Sequence, residues 1–142
     1  MTAYQTAYVD NPVPGYPGMV ADMIDNTILS QAVTTAPVAF GVAVGRGATD
    51  NTVRTGGAGY VGVTVADKSQ ETGSYPVGIV AGVATAGSLW VTVGANVAPA
   101  DGVFFVPASG VITSVPTANI AIPGARFLTT ATSGNLALLF LG

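Results

Sequence analysis

Lys68 and Ser69 are neighbours, and a lysine beside a serine can act as base and nucleophile in hydrolysis. Adjacency works against that role here. Consecutive residues of a strand point to opposite faces, and a loop fixes no geometry between them. No Gly-x-Ser-x-Gly elbow supplies the sharp turn and oxyanion hole that such a nucleophile needs. "GAGYVG", Gly57 to Gly62, matches G-x-G-x-x-G. Phosphate binding by that pattern needs a strand before it and a helix after it. A Thr-Gly-Gly turn precedes it and alternating valines follow, so it reads as a loop entering a strand. No Walker A pattern exists, because Lys68, the only lysine, lacks the preceding glycine.

The acids are Asp10, Asp22, Asp25, Asp50, Asp67, Glu71 and Asp101. They lack the spacing of an EF-hand, and turn or solvation roles suit them better than a metal site. Paired carboxylates for glycoside hydrolysis would have to meet across the fold, and so few acids speak against it. Trp90 lies in an apolar run, where a lone tryptophan is more often core or interface than a sugar platform. The chain has no histidine and no cysteine. That removes the usual general base near neutral pH, the thiolate nucleophile, disulfides and cysteine-based zinc sites. The expectation is a protein that is not an enzyme and holds no cofactor and no metal.

The 142 residues suit one domain. Only 8% are charged, with net charge −3, against roughly 25% in ordinary soluble domains. Arg46, Arg54, Lys68 and Arg126 are scattered. A nucleic-acid partner or a basic membrane face needs clustered cations, so neither is expected. The mean hydropathy of +0.57 and the uncharged runs 26–45, 72–100 and 102–125 raise the question of membrane spans. Each run is broken by Pro and by Gly, Thr or Ser, which a spanning helix does not suit. The opening "MTAYQTAYVDNPVPGYPG" has neither a basic region nor an apolar core and does not read as a signal peptide. A chain this poor in charge risks association as a free monomer. It fits a structural subunit that lives bound to its own copies or to a large partner.

Residues 1–18 read as an extended N-terminal arm, and 19–142 as a single β domain. In the arm, Tyr4, Tyr8 and Tyr16 alternate with polar residues, and Pro12, Pro14 and Pro17 block helix. Aromatics on such an arm read as anchors for a neighbour. From Met19 on, the pattern is β. "PVAFGVAVG" places Val38, Phe40, Val42 and Val44 on one face of a strand, and "YVGVTVA" does the same with Val61, Val63 and Val65. Met19, Val20, Met23 and Ile24 read as strand, with a turn at Asp25-Asn26.

Further along, Thr85-Ala86-Gly87-Ser88 reads as a hairpin turn between "VGIVAGVAT" and "LWVTV". Pro99-Ala100-Asp101-Gly102 reads as a turn with Pro99 presetting φ, Asp101 bonding the local backbone and Gly102 taking positive φ. Pro107-Ala108-Ser109-Gly110 and Thr132-Ser133-Gly134-Asn135 read as two more turns. Phe104 and Phe105 point to opposite faces of their strand, so burial of both would imply cover on two sides. Roughly nine or ten short strands with Gly/Pro turns point to an all-β sandwich or barrel.

Taken in order, these segments resemble the structural cement proteins of tailed bacteriophages with HK97-type capsids. The likeness runs through "MTAYQTAY", "PGMVAD", "FGVAVGRG", "YVGVTVADKS", "LWVTVGANVAPADGVFFVPASGVIT" and "IPGARFLTTATSGNLALLFLG". One departure is visible: after "GANVA" the family tends to have Gly-Asp, where this chain has Pro-Ala-Asp-Gly. The resemblance implies a jelly-roll-like fold and no catalytic residues. It implies a homo-oligomer, a dimer in preference to a trimer, on the outer capsid surface of the virion, made in the host cytoplasm. Its partner would be the major capsid protein, whose neighbouring capsomers it would clamp after expansion. Two alternatives stay open: a virion-displayed carbohydrate- or host-binding β module using Trp90 and the tyrosines, and a self-polymerising tube or fibre subunit.

Overall fold

Runs rich in Val, Ile and Thr form the strands, and Gly, Pro and Asp mark many of their ends. The computed structural model describes residues 16–21, 27–57, 59–67, 69 and 73–141, with no helix among them. The strands are β1 (Thr27–Val33), β2 (Val38–Ala39), β3 (Ala43–Arg46), β4 (Thr52–Thr55), β5 (Tyr60–Thr64), β6 (Ser74–Tyr75), β7 (Val80–Thr92), β8 (Phe104–Phe105), β9 (Ile112–Thr113), β10 (Ile120–Ala121), β11 (Arg126–Phe127) and β12 (Leu136–Leu141).

β1 pairs in parallel with β4 and antiparallel with β7, so the order β1-β4-β3-β5-β7 closes into a five-stranded mixed barrel. β12 and β11 extend the sheet beyond β7. Two smaller sheets, β10-β8-β9 and β2-β6, complete the fold. The all-β expectation is met, with a barrel as its centre. The jelly-roll likeness is not what the strand order displays. A jelly roll uses eight strands in two Greek keys, whereas this ring contains a parallel pair.

Two cores follow from this layout. Val33, Val44, Val53, Ala81 and Val83 of the barrel strands pack with Val38 and Tyr75 of the β2-β6 pair. A larger cluster joins Leu89, Val91, Phe105, Ile112, Phe127 and Leu139, with Val63 and Ala84 at its barrel side.

β7 serves both cores, and this corrects the expected hairpin at Thr85–Ser88. The chain does not turn there. It runs as one strand of 13 residues. Its first half pairs with β1 and β5, and its second half pairs with β12 from Leu141↔Gly87 to Leu136↔Thr92. Thr27 pairs with Ala86 and Ile28 with Ala84, which leaves Thr85 as a bulge. Gly87 sits at φ +114°. A bulge shifts the two-residue alternation by one. Hence Ala81 and Val83 line the small core, while Ala84, Leu89 and Val91 line the large one. The same irregularity buries Ser88, whose Oγ has no hydrogen-bond partner.

Three other expectations change. "PVAFGVAVG" is not one strand, because a turn at Phe40-Gly41 divides it into β2 and β3. Val61 does not share a core with Val63 and Val65. The register shifts between Val44 and Gly45, so Val61 packs on the small core and the other two on the large one. Gly102 keeps a negative φ; a side chain there would meet the Phe104 ring at 2.9 Å, so space and not backbone sign selects glycine. The rest of that turn forms as expected, with Ala98 N–H donating to Asp101 Oδ2 (2.9 Å) and Asp101 N–H to Ala98 O (3.0 Å). The turns at 107–110 and 132–135 also form, closed by Gly110 N–H to Val106 O (2.7 Å) and Asn135 N–H to Thr132 O (3.0 Å).

Candidate functional site

Several groups with candidate chemistry in the sequence are engaged elsewhere. Gly56 and Gly57 donate their amides to Ala43 O and Pro107 O, both at 2.9 Å, and β5 follows instead of a helix. Those two amides are not free to hold a phosphate. Ser69 gives its hydroxyl and its amide to Asp67 Oδ1 at 2.7 and 2.9 Å. These bonds, the hydroxyl's first, hold the Asp67 carboxyl below its usual range, and they leave Ser69 unactivated. Lys68 lies outside the described residues, as do Asp10, Asp22, Asp25, Glu71, Met23, Ile24 and Asn26. Asp50 approaches Arg46 at 4.0 Å on the open surface. Among the described residues no three acidic side chains gather as a metal site would require.

Tyr4, Tyr8, Pro12 and Pro14 of the arm fall outside the described residues. Tyr16 and Pro17 are exposed, and directly after them the chain is tied to β7. Gly18 N–H donates to Trp90 O (2.8 Å), Trp90 N–H to Met19 O (2.9 Å) and Ala21 N–H to Ser88 O (2.9 Å), while Ala66 N–H donates to Gly18 O (2.8 Å). Residues 18–21 therefore act as a short added strand along the edge of β7 opposite β12. This root is itself fastened to the barrel. Trp90 is half-buried in the same ladder, with Leu138 across from it. The ring pairs among the described residues are Phe40–Tyr75 and Tyr60–Phe105, so Trp90 has no aromatic companion there to widen a sugar platform.

Exposed apolar side chains mark the remaining surface. Ile28, Leu29, Val77, Ile79 and Val80 are all exposed on or beside β1 and the start of β7. β1 meets the solvent through most of its length, a feature invisible in a sequence that shows its apolar residues but not its neighbours. A recess of about 320 Å³ opens beside it, lined by Gln31, Arg46, Asn51, Thr52, Tyr60 and Val61. Its lining is mainly polar, with Val61 as the one aliphatic side chain.

A comparison with known protein families matches residues 4–142 to the family described as structural cement protein (E217 gp24/Pam3 gp6). The chain belongs to this family. Its members are non-enzymatic phage structural proteins, and the cement protein is a capsid component of the virion. Among solved structures, a chain of the capsid of Myoviridae phage XM1 shares the fold with a TM-score of 0.75 and 17% identity, over 99% of this chain and 98% of that one. The base of the head fibre gp8.5 of bacteriophage phi29 is similar with a TM-score of 0.52 and 13% identity, over 83% of this chain and 95% of that one. These two likenesses are likenesses of fold. No curated protein matches.

Tyr60, beside Phe105, gives a test of the large core. Burial pushes the Tyr60 hydroxyl up to about 12, where its ring lies 5.7 Å from that of Phe105. An unfolded tyrosine loses its proton near pH 10. Between those values the unfolded chain binds fewer protons than the folded one, so stability falls as pH rises. Tyr60 should contribute full stability below pH 10 and lose about 2 kcal/mol of it by pH 12. Thermal melts from pH 9 to 12 should show a steeper decline in the wild type than in Tyr60→Phe. Parallel declines would place the hydroxyl in water.

Proposed function

We propose that this protein binds the outer surface of the major capsid protein shell and stabilises it by bridging neighbouring capsomers. It does so as a homo-oligomer, a dimer in preference to a trimer. The observation that carries the reading is the family match over residues 4–142. The kinship in fold to a phage capsid chain agrees with it, as does a surface with few charges and exposed Ile28, Leu29, Val77 and Val80. The work is mechanical. A specific contact buries roughly 1,200–2,000 Å², and many copies on one lattice add their contacts through multivalency.

The arm, with Tyr4, Tyr8, Pro12, Pro14, Tyr16 and Pro17, reaches onto the capsid protein or a neighbouring subunit. Its root at Gly18 is bonded into the barrel, so the informative truncation stops before Tyr16. Removal of residues 1–15 should weaken binding to expanded heads that lack the protein by at least about tenfold, or 1.4 kcal/mol. The β-sheet circular dichroism should not change. Co-sedimentation through a density gradient measures both proteins side by side. Wild-type binding should saturate at a fixed ratio to the capsid protein and raise the temperature at which the heads open. Unchanged binding by the truncated chain would remove the arm's role, and absence of binding by the full chain would remove the cementing role itself.

A further inference from the structure

β1 pairs with β7 along nearly its whole length, but with β4 only at Ala32↔Thr52 and Val33↔Val53. Among the described residues, one edge of Thr27–Gln31 therefore has no strand beside it. The main-chain directions follow from the bonds at the strand's end. Val33 N–H donates to Ile79 O at 3.0 Å, toward β7, and Ala32 N–H donates to Asn51 O at 3.1 Å, away from it. In an antiparallel ladder these directions alternate. Gln31 and Leu29 thus face β7, while the amides and carbonyls of Ser30 and Ile28 face outward. Among the described residues no hydrogen bond reaches them from that side. Proteins usually guard such an edge with charge, proline or a cover. "TILSQAV" has no charge and no proline, Ser30 is exposed, and Ile28 and Leu29 are 47% and 40% exposed.

We propose that this edge is a self-pairing interface through which two copies of the chain join antiparallel, with Leu29 facing the same residue of the second copy across the two-fold axis. The proposal rests on the homo-oligomer reading above and names its contact. The homo-oligomer reading above supplies a second copy as occupant, and the outward groups fit it. Two residues bearing free donors and acceptors, one on each side of Leu29, are self-complementary under a two-fold rotation. Ile28 of one chain meets Ser30 of the other, and the reverse, with four main-chain hydrogen bonds. Leu29 becomes the central non-hydrogen-bonded pair, the type in which side chains approach most closely. An isologous contact of this kind closes at the dimer and does not propagate. The uncharged strand brings no like charges together. The recess that shares Gln31 with this edge gives the contact room to extend past the strand.

The test is sedimentation equilibrium of the full chain at micromolar concentration. Wild type should be a dimer. Leu29→Lys and Leu29→Glu should each dimerise at least about tenfold more weakly, because two like charges would face each other. An equal mixture of the two variants should recover the dimer as a heterodimer. Ser30→Pro, which removes an outward amide that the barrel does not use, should also weaken the dimer without changing the circular dichroism. A monomeric wild type, charged variants that dimerise as wild type does, or a mixture that fails to recover would overturn the proposal. So would a chain lacking residues 1–15 that becomes monomeric while Leu29→Lys stays dimeric, since the arm would then hold the oligomer. Head binding separates this proposal from the one on which it rests. A monomeric protein that still binds heads defeats the self-pairing alone, whereas a wild type that binds no heads defeats the cementing role.

Discussion

Phe105→Ala should lower the stability of the folded chain by about 3–5 kcal/mol, the range for removing a fully buried phenylalanine. Phe105 is 0% exposed and occupies the middle strand of its sheet, opposite Ile112 on β9 and Ile120 on β10. Its ring meets Tyr60 of the barrel at 5.7 Å. Its loss empties the seam between the small sheet and the barrel, and neither side can collapse without giving up its own strand pairing. For a chain of this size the melting temperature should fall by roughly 10–20 °C. Phe104 is the internal control. It points to the other face and is half-buried, so Phe104→Ala should lose less than half as much. Calorimetry on the two variants reads the difference directly. Equal losses would mean that the second face is covered too, by a partner already present in solution.

That pair also indicates how far the sequence could be read. Alternation across "GVFFVP" placed one phenylalanine on each side of a strand, and the structure buries Phe105 and leaves Phe104 partly open. The short turns were legible for the same local reason: Asp101, Pro107-Gly110 and Thr132-Asn135 act within a few residues of themselves. β7 was not legible, because Gly87 and Ser88 look like turn residues and act as a bend within a continuous strand. Only the partners β1 and β12, dozens of residues away, decide between the two. The division of "PVAFGVAVG" at Gly41 has the same origin, since Gly41 bonds to Thr64 O of β5 and not to its own strand. Closure of the barrel depends on the short parallel contact of β1 with β4, and no residue type announces it.

The candidate surface divides in a similar way. The lack of histidine and cysteine removes the usual base near neutral pH and the thiolate nucleophile. No residue type in "TILSQAV" marks its edge as open, and among the described residues only the start of β4 at Thr52 reveals it. Exposure is a property of neighbours, so a pattern of residue types cannot report it.

Gly56→Ala should cost at least about 3 kcal/mol, although it adds one methyl group. Gly56 has φ +59°, a conformation that costs an alanine roughly 1–2 kcal/mol. The added carbon would also lie 2.1 Å from Pro107 O, inside any tolerable contact. The obstacle is backbone, so no side chain can rotate away. Pro107 is held in turn, because its carbonyl accepts Gly57 N–H at 2.9 Å, Gly56 N–H donates to Ala43 O at 2.9 Å and Ala43 N–H donates to Gly110 O at 2.8 Å. These bonds fasten the β8–β9 turn to the barrel at β3 and the end of β4. A methyl group at Gly56 forces the two apart. Gly134→Ala isolates the backbone contribution, since Gly134 has φ +86° and nothing within 4 Å of the added carbon; it should lose only about 1–2 kcal/mol. Urea unfolding of both variants measures the gap. If the two losses are equal, the junction yields to the methyl group and the small sheet moves on the barrel. If Gly56→Ala loses far more, the two parts form one rigid body, which is what a subunit must be to carry load between the capsomers it is proposed to bridge.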